Sequence, residues 1–205
     1  MRKRGFFGSI RSRMVAIHMG VTLFAMLIVS VIVINILSNS MLAERVDKQL
    51  GETERISFEI APKLAEEDID AVFAFIKAKS EALGGRILVL DNYATVTVDS
   101  ASAYNGYFLA YNEVRAVIAG GRDSYYGFHR VETSASSRRI DDMEWVAYYT
   151  APIIDGGAHI GAVLFASSIQ DVGDSINEVV ARIALVFVVM TAITAIATFI
   201  LSSFI

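Results

Sequence analysis

Two groups of carboxylates are possible cation ligands: Glu66, Glu67, Asp68 and Asp70, and Asp141, Asp142 and Glu144. Carboxylate oxygens are what calcium and magnesium prefer. Neither group has calcium-loop spacing, and acidic runs are usually solvated faces. His129 and His159 are expected on different strands. Two imidazoles can sense pH or begin a zinc site. No third ligand accompanies them, so ordinary strand surface is the simpler expectation. Ser167-Ser168 lacks the glycines of a nucleophile elbow. With no cysteine there is no thiolate nucleophile, no disulfide framework and no cysteine-bound metal. No catalytic constellation is visible.

A different chemistry is suggested by the aromatic residues. Tyr104, Tyr107, Phe108, Tyr111, Tyr125, Tyr126, Phe128, Trp145, Tyr148 and Tyr149 fall within one stretch of loop and strands. Arg130 and Arg138 can meet an anionic ligand as planar forks. Small-molecule pockets are mostly apolar with a few placed polar groups. The expected ligand-binding set is Tyr107, Tyr125, Phe128, Arg130, Trp145 and Tyr148. The competing expectation is that these aromatics are plain core and cross-strand packing.

The elements that must position these residues are legible from periodicity. Leu42, Val46, Gln49, Thr53, Ile56 and Ile60 repeat at 4-3-4-3 spacing, which predicts a helix over Ser40–Ala65 that Pro62 breaks or kinks. Glu67–Leu83 is a second helix, ended by Gly84-Gly85. The period then switches to alternation. Arg86–Asp91 and Ala94–Asp99 read as a hairpin about Asn92-Tyr93, with Val96 and Val98 on one face. Tyr111–Ala119 reads as a short helix closed by Gly120-Gly121. Ser124–Val131, Met143–Ala151 (ended by Pro152) and His159–Ser167 read as three more strands. The segment Glu132–Asp142 is an exposed connection, Asp155-Gly156-Gly157 is a turn, and the His159 strand is central. The fold class is α+β, with a five-stranded antiparallel sheet and flanking helices.

Composition sets the frame around that domain. The 205 residues are 54% hydrophobic and 20% charged, and the mean hydropathy is +0.49. That is too apolar for an ordinary soluble domain, and it excludes a disordered, collagenous or disulfide-stapled chain. The apolar excess is concentrated. Met14–Leu37 and Ile183–Ile205 are long, uncharged or nearly so, and each exceeds the roughly 18 residues that a span requires. Both are predicted transmembrane helices, and Val172, Ile176, Val179 and Ile183 lead into the second at helical spacing. Arg2, Lys3, Arg4, Arg11 and Arg13 precede the first span, with no acid among them. This places the N-terminus in the cytoplasm and residues 38–181 outside it. The expected division is 1–13 basic tail, 14–37 first span, 38–181 extracytoplasmic domain and 182–205 second span. His18 lies near the cytoplasmic end of the first span, where a neutral imidazole can reach the headgroups. The chain stops in an apolar run, which predicts a longer parent.

The run RILVLDNYATVTVDS, then Gly106, Glu113-Val114-Arg115 and Gly120, then YYTAPI and HIGAVLFASSIQDV, resembles the extracytoplasmic sensor domain of bacterial membrane sensor histidine kinases. The resemblance is to the Cache (PAS-like) class found in cell-wall and phosphate sensor kinases. It covers Arg86–Val172 in motif and nearly the whole chain in layout. The family usually has a glycine shortly after the first strand's aspartate, where this chain has Asn92 and Tyr93. The resemblance implies the sensory and transmembrane part of a two-component receptor in a bacterial inner or plasma membrane. It also implies a homodimer, a small-molecule or protein stimulus, and a cytoplasmic response regulator reached through a kinase that these residues do not contain. No cofactor is expected in this chain, since ATP and Mg would belong to that kinase. No nucleic acid is expected as a partner. The alternatives are the front end of a chemoreceptor or cyclic-dinucleotide enzyme, or a non-enzymatic two-span protein that binds a protein partner.

Overall fold

The structure is a computed structural model and describes residues 10–120, 123–132 and 143–204. The order of elements is α1 (Ile10–Ala65), α2 (Ile69–Leu83), β1 (Arg86–Leu90), β2 (Val96–Asp99), α3 (Asn112–Gly120), β3 (Tyr125–Glu132), β4 (Met143–Asp155), β5 (Ala158–Ser168) and α4 (Gln170–Phe204). The chain divides into two compact units, Leu42–Asp171 and the sequence on either side of it. The basic tail and the 133–142 connection, with Arg138, Asp141 and Asp142, lie outside the described residues.

In the unit Leu42–Asp171, all five strands pair antiparallel in the order β2-β1-β5-β4-β3, which makes β5 central as its apolar sequence implies. Alternation sends successive side chains to opposite faces of the sheet. Ile87, Val89, Val163, Phe165, Tyr149 and Ile153 pack with Val46, Ile56 and Ile60 of α1 and Val72 and Ile76 of α2. Leu88, Leu90 and Leu164 point the other way, with Val114 of α3 and partly buried Leu109, Tyr111 and Tyr148. α2 is capped at both ends. The Asp68 carboxylate accepts from the Ala71 amide at 3.0 Å, and Gly84 takes a left-handed conformation. The first acidic group therefore acts, through Asp68, as a helix cap.

Two sequence expectations are corrected. Val96 and Val98 do not share a face. Val89 pairs with Val98 but Leu90 pairs with Val96, so Thr97 is an extra residue in the ladder. The bulge turns Val98 to the helix side and Val96 to the α3 side. Thr97 itself is exposed, and its hydroxyl donates to the Val89 carbonyl at 3.1 Å. Pro152 does not end β4, which continues to Asp155. Pairing with β3 stops at Thr150, so from there one edge of β4 is open and a proline costs no ladder hydrogen bond. The Pro152 carbonyl on that edge accepts from the Ser57 hydroxyl of α1. Pro62 leaves the end of α1 where the sequence period puts it, at Ala65. It sits in the last turn, and the helix ends three residues later.

The β4–β5 hairpin closes on Gly156 and Gly157, both at positive φ, as a two-residue turn requires. Gly161 marks a close approach between strands, since a Cβ there would lie 2.2 Å from the Leu90 carbonyl oxygen.

The second unit holds the apolar parts of α1 and α4. Each helix carries a segment long and apolar enough to cross a membrane, with mean hydropathies of 2.6 and 2.5, and neither segment is buried. Three threonine hydroxyls inside α4 are satisfied by its own backbone. Thr191, Thr194 and Thr198 each donate to the carbonyl four residues back, at 2.6–2.8 Å.

A substitution pair tests the close approach at the centre of the sheet. Gly161→Ala is expected to destabilise the purified chain by about 1–3 kcal/mol, because backbone must move to admit the methyl group. Gly173→Ala lies in open space within α4 and is expected to be neutral or to stabilise by up to about 1 kcal/mol. Chemical unfolding in micelles checks both, and an unchanged midpoint for Gly161→Ala would refute the close approach.

Candidate functional site: a tyrosine-walled cavity on one face of the sheet

Asp99 ends β2 and is fully buried. One carboxylate oxygen accepts from Arg86 Nε at 2.9 Å and the other from Arg86 Nη2 at 2.5 Å, a two-point fork across the hairpin. The same carboxylate accepts the amides of Ala101, Ala103 and Tyr104 at 2.7–2.9 Å, which folds the chain after β2 back over the sheet. That fold carries Tyr104 onto the Arg86 guanidinium, 4.1 Å from its ring centroid. Burial alone would raise the Asp99 pKa. The hydrogen bonds from Arg86 and the three amides outweigh it and hold the carboxyl at about 2. The hydrogen bond to Asp99 in turn raises the Arg86 pKa above its ordinary value.

A second set of contacts fixes α3 against β3 and β4. Glu113 is buried, and its Oε1 lies 2.6 Å from His129 Nε2. Gly127 leaves the room, since a Cβ there would meet Glu113 Oε2 at 2.9 Å. The His129 ring stacks on Tyr148 at 4.4 Å, and Tyr148 meets Tyr111 edge to face at 4.9 Å. Burial, followed by its hydrogen bond with Tyr111, raises the Tyr148 pKa, so the phenol stays protonated.

Between these two sets lies a cavity of about 580 Å³, within the usual range for ligand pockets of roughly 300–1,000 Å³. Its floor is Leu88, Val146, Leu164 and Ala166. Tyr104, Tyr111, Tyr148 and Leu109 wall it, and Arg86, Arg130, Glu144, Val131 and Ser168 complete the lining. The strand period explains the membership. Glu144, Val146 and Tyr148 alternate on the face that also carries Leu164, Ala166 and Ser168.

Of the six residues expected from sequence, Arg130 and Tyr148 line the cavity, and Tyr107, Tyr125, Phe128 and Trp145 do not. Phe128 and Trp145 pair with Ala147 and Arg130, on the opposite face from Tyr148. Tyr107 and Tyr125 are exposed. Arg130 places its guanidinium 5.5 Å from the Trp145 ring centroid. Tyr149 is also turned away, stacked on Phe165 within the helix-side core. Arg86, Asp99 and Glu113 were missing from the expected set. Opposite charges at the outer ends of two otherwise apolar hairpin strands, Arg86 and Asp99, were the signal that marks them. The two histidines are separate, with His129 on Glu113 and His159 Nδ1 on Asn92 Oδ1 at 2.7 Å. Burial lowers the His159 pKa. Among the described residues no three histidines, cysteines or carboxylates gather in a way that would hold a metal ion.

No protein-family model matches the sequence, and no curated protein matches it. Solved structures do match. The sensor domain of the V. cholerae histidine kinase DctB gives a TM-score of 0.51 at 14% identity, over 66% of this chain and 53% of that one. The E. coli DcuS sensor domain gives 0.48 at 12% identity, over 67% of this chain and 98% of that one. The chain thus spans about half the length of the DctB structure. The fold is that of a PAS-like (Cache-like) sensor domain, α+β with a five-stranded antiparallel sheet, in a chain whose outer helices are long and apolar enough for membrane spans.

The Asp99 linkage predicts a specific acid sensitivity. Its folded-state value is depressed from 3.8 to about 2. The stabilisation is therefore present above pH about 4 and lost as the pH falls from there toward about 2, with a size on the order of 2 kcal/mol. Asp99→Asn is expected to lower stability at pH 7 by at least that amount and to flatten the dependence in this window. Urea unfolding at stepped pH measures both, and a parallel acid profile for the variant would contradict the linkage.

Proposed function

We propose that this chain is the sensory and transmembrane portion of a bacterial two-component sensor histidine kinase. The observation that carries the reading is the cavity, enclosed by a PAS-like sheet, three tyrosines and an anchored arginine, in a chain with an apolar helical segment on each side of the domain. The basic N-terminal cluster supports a cytoplasmic N-terminus and an extracytoplasmic domain. The protein works as a homodimer. Its kinase, which uses ATP and Mg and passes phosphate to a response regulator, is a separate part of the parent protein.

The mechanism is a population shift. A ligand acts only through the difference in its affinity for two arrangements. Tyr148 in the cavity is the neighbour of Tyr149 in the helix-side core, and Ala166 is the neighbour of Phe165. A change in cavity packing is therefore felt one residue away, on the face that holds α1. Arg45 of α1 and Asp171 in the first turn of α4 meet at 3.3 Å, which ties together the two helices that leave the domain. The signal is a shift in that pair of helices.

Binding is checked by thermal unfolding of the chain in nanodiscs against amino acids, peptides, organic acids, amines and divalent cations. A ligand selective for the folded state raises the midpoint with concentration, and Tyr148→Ala is expected to abolish the rise. A flat panel would move the stimulus to a protein partner or to the membrane itself.

A further inference from the structure

The charged groups of the cavity sit at its two ends, and they have opposite sign. Arg86 stands at the β1 end. Asp99 takes two of its five N–H donors, so a rigid fork still has donors left for a carboxylate. Glu144 stands at the other end, on β4. Among the described residues Glu144 has no ion-pair partner. The third charged lining residue, Arg130, lays its guanidinium over Trp145, which is outside the lining. Between the two ends the surface is leucine, valine, alanine and tyrosine with Ser168.

The separation follows from the sheet register. Arg86 pairs with Ala166, and Ala166 pairs with Tyr148. Glu144 lies four positions along β4 from Tyr148. Two strand spacings and four residue rises put the two Cα atoms about 16 Å apart. Strand side chains stand roughly perpendicular to the sheet, so the charged groups keep about that separation, and hydrogen-bond spacing of about 3 Å at each end leaves on the order of 10 Å for a ligand. An extended chain covers about 3.3–3.6 Å per residue, so about three residues bridge that gap.

We propose that the cavity binds a short zwitterionic peptide of about three residues. Its free carboxylate is held by Arg86 and its free ammonium by Glu144, while apolar side chains lie on the Leu88, Val146 and Leu164 floor. This rests on the reading of the cavity as the sensory pocket. It narrows the stimulus to one class and assigns Glu144 a role in specificity. A buried carboxylate or ammonium without its partner is costly, so blocking either terminus removes affinity rather than merely reducing charge.

The test uses the full chain in nanodiscs and alanyl-leucyl-alanine in three forms: free, N-acetylated and C-amidated. The free peptide is expected to raise the unfolding midpoint and to bind in calorimetry, and each block is expected to weaken binding about tenfold or more. Glu144→Gln, a half-buried site remote from the cores, is expected to weaken the free peptide by the same factor and to leave the acetylated peptide unchanged. Arg86 is a poor first variant because it also ties the hairpin. Equal binding of free and acetylated peptide, or a Glu144→Gln effect of the same size on both, overturns the ammonium assignment. Equal binding of the amidated peptide overturns the carboxylate assignment. If no peptide binds but another panel compound does, and Tyr148→Ala abolishes it, the peptide inference fails and the sensory pocket stands. If nothing binds, both fail.

Discussion

The carboxylate of Asp99 organises the unit Leu42–Asp171. It has no solvent exposure, and an unpaired buried carboxylate is among the costliest groups a domain can hold. Five donors surround it, two on Arg86 and three backbone amides. Meeting that demand fixes three things at once. The outer ends of β1 and β2 are joined, the chain after β2 is bent back over the sheet, and the Arg86 guanidinium is immobilised beside Tyr104. The cavity is bounded on one side by the product of this single constraint.

The two faces of the sheet divide the labour. One is dry and packed by α1 and α2, with Tyr149, Phe165, Ile56 and Ile60 fully buried. The other is covered only in part, by α3 and the loop before it, and there the cavity opens. A sheet buried on both faces reads as near-continuous apolar sequence, and β5 does read that way because it is the central strand. β4 is mixed along its length. Near Trp145 it faces solvent, while at Tyr149 to Ile153 it is core. The change coincides with the end of its pairing to β3 and with the approach of Ser57 to Pro152.

Much of the fold was legible because its signals are local. Gly84 ends α2, Gly156-Gly157 closes a hairpin, and the apolar run of β5 marks the middle of the sheet. The errors also have local causes. Strict alternation cannot foresee a bulge, so Thr97 shifted Val96 and Val98 to opposite faces. Proline terminates strands that are flanked on both sides. At Pro152 one flank is open, which depends on where β3 begins and is therefore tertiary information.

The site was less legible than the fold, and the reason is the same period of two. Composition shows that aromatics cluster in β3 and β4, but not which of two adjacent aromatics faces the cavity. Tyr148 and Tyr149 are neighbours in sequence; one walls the cavity and the other is core. Register decides, and a slip of one residue would exchange them. Charge is harder still. Arg130 invites an anion when read alone, yet its fork rests on Trp145, while the arginine at the cavity's β1 end is Arg86, at the start of a strand that looks purely structural. What distinguishes the two is a partner: Arg86 has a buried carboxylate thirteen positions away to hold it still. A binding group is useful in proportion to how little it must be ordered when the ligand arrives, and that ordering is supplied by the hairpin rather than by the residue itself.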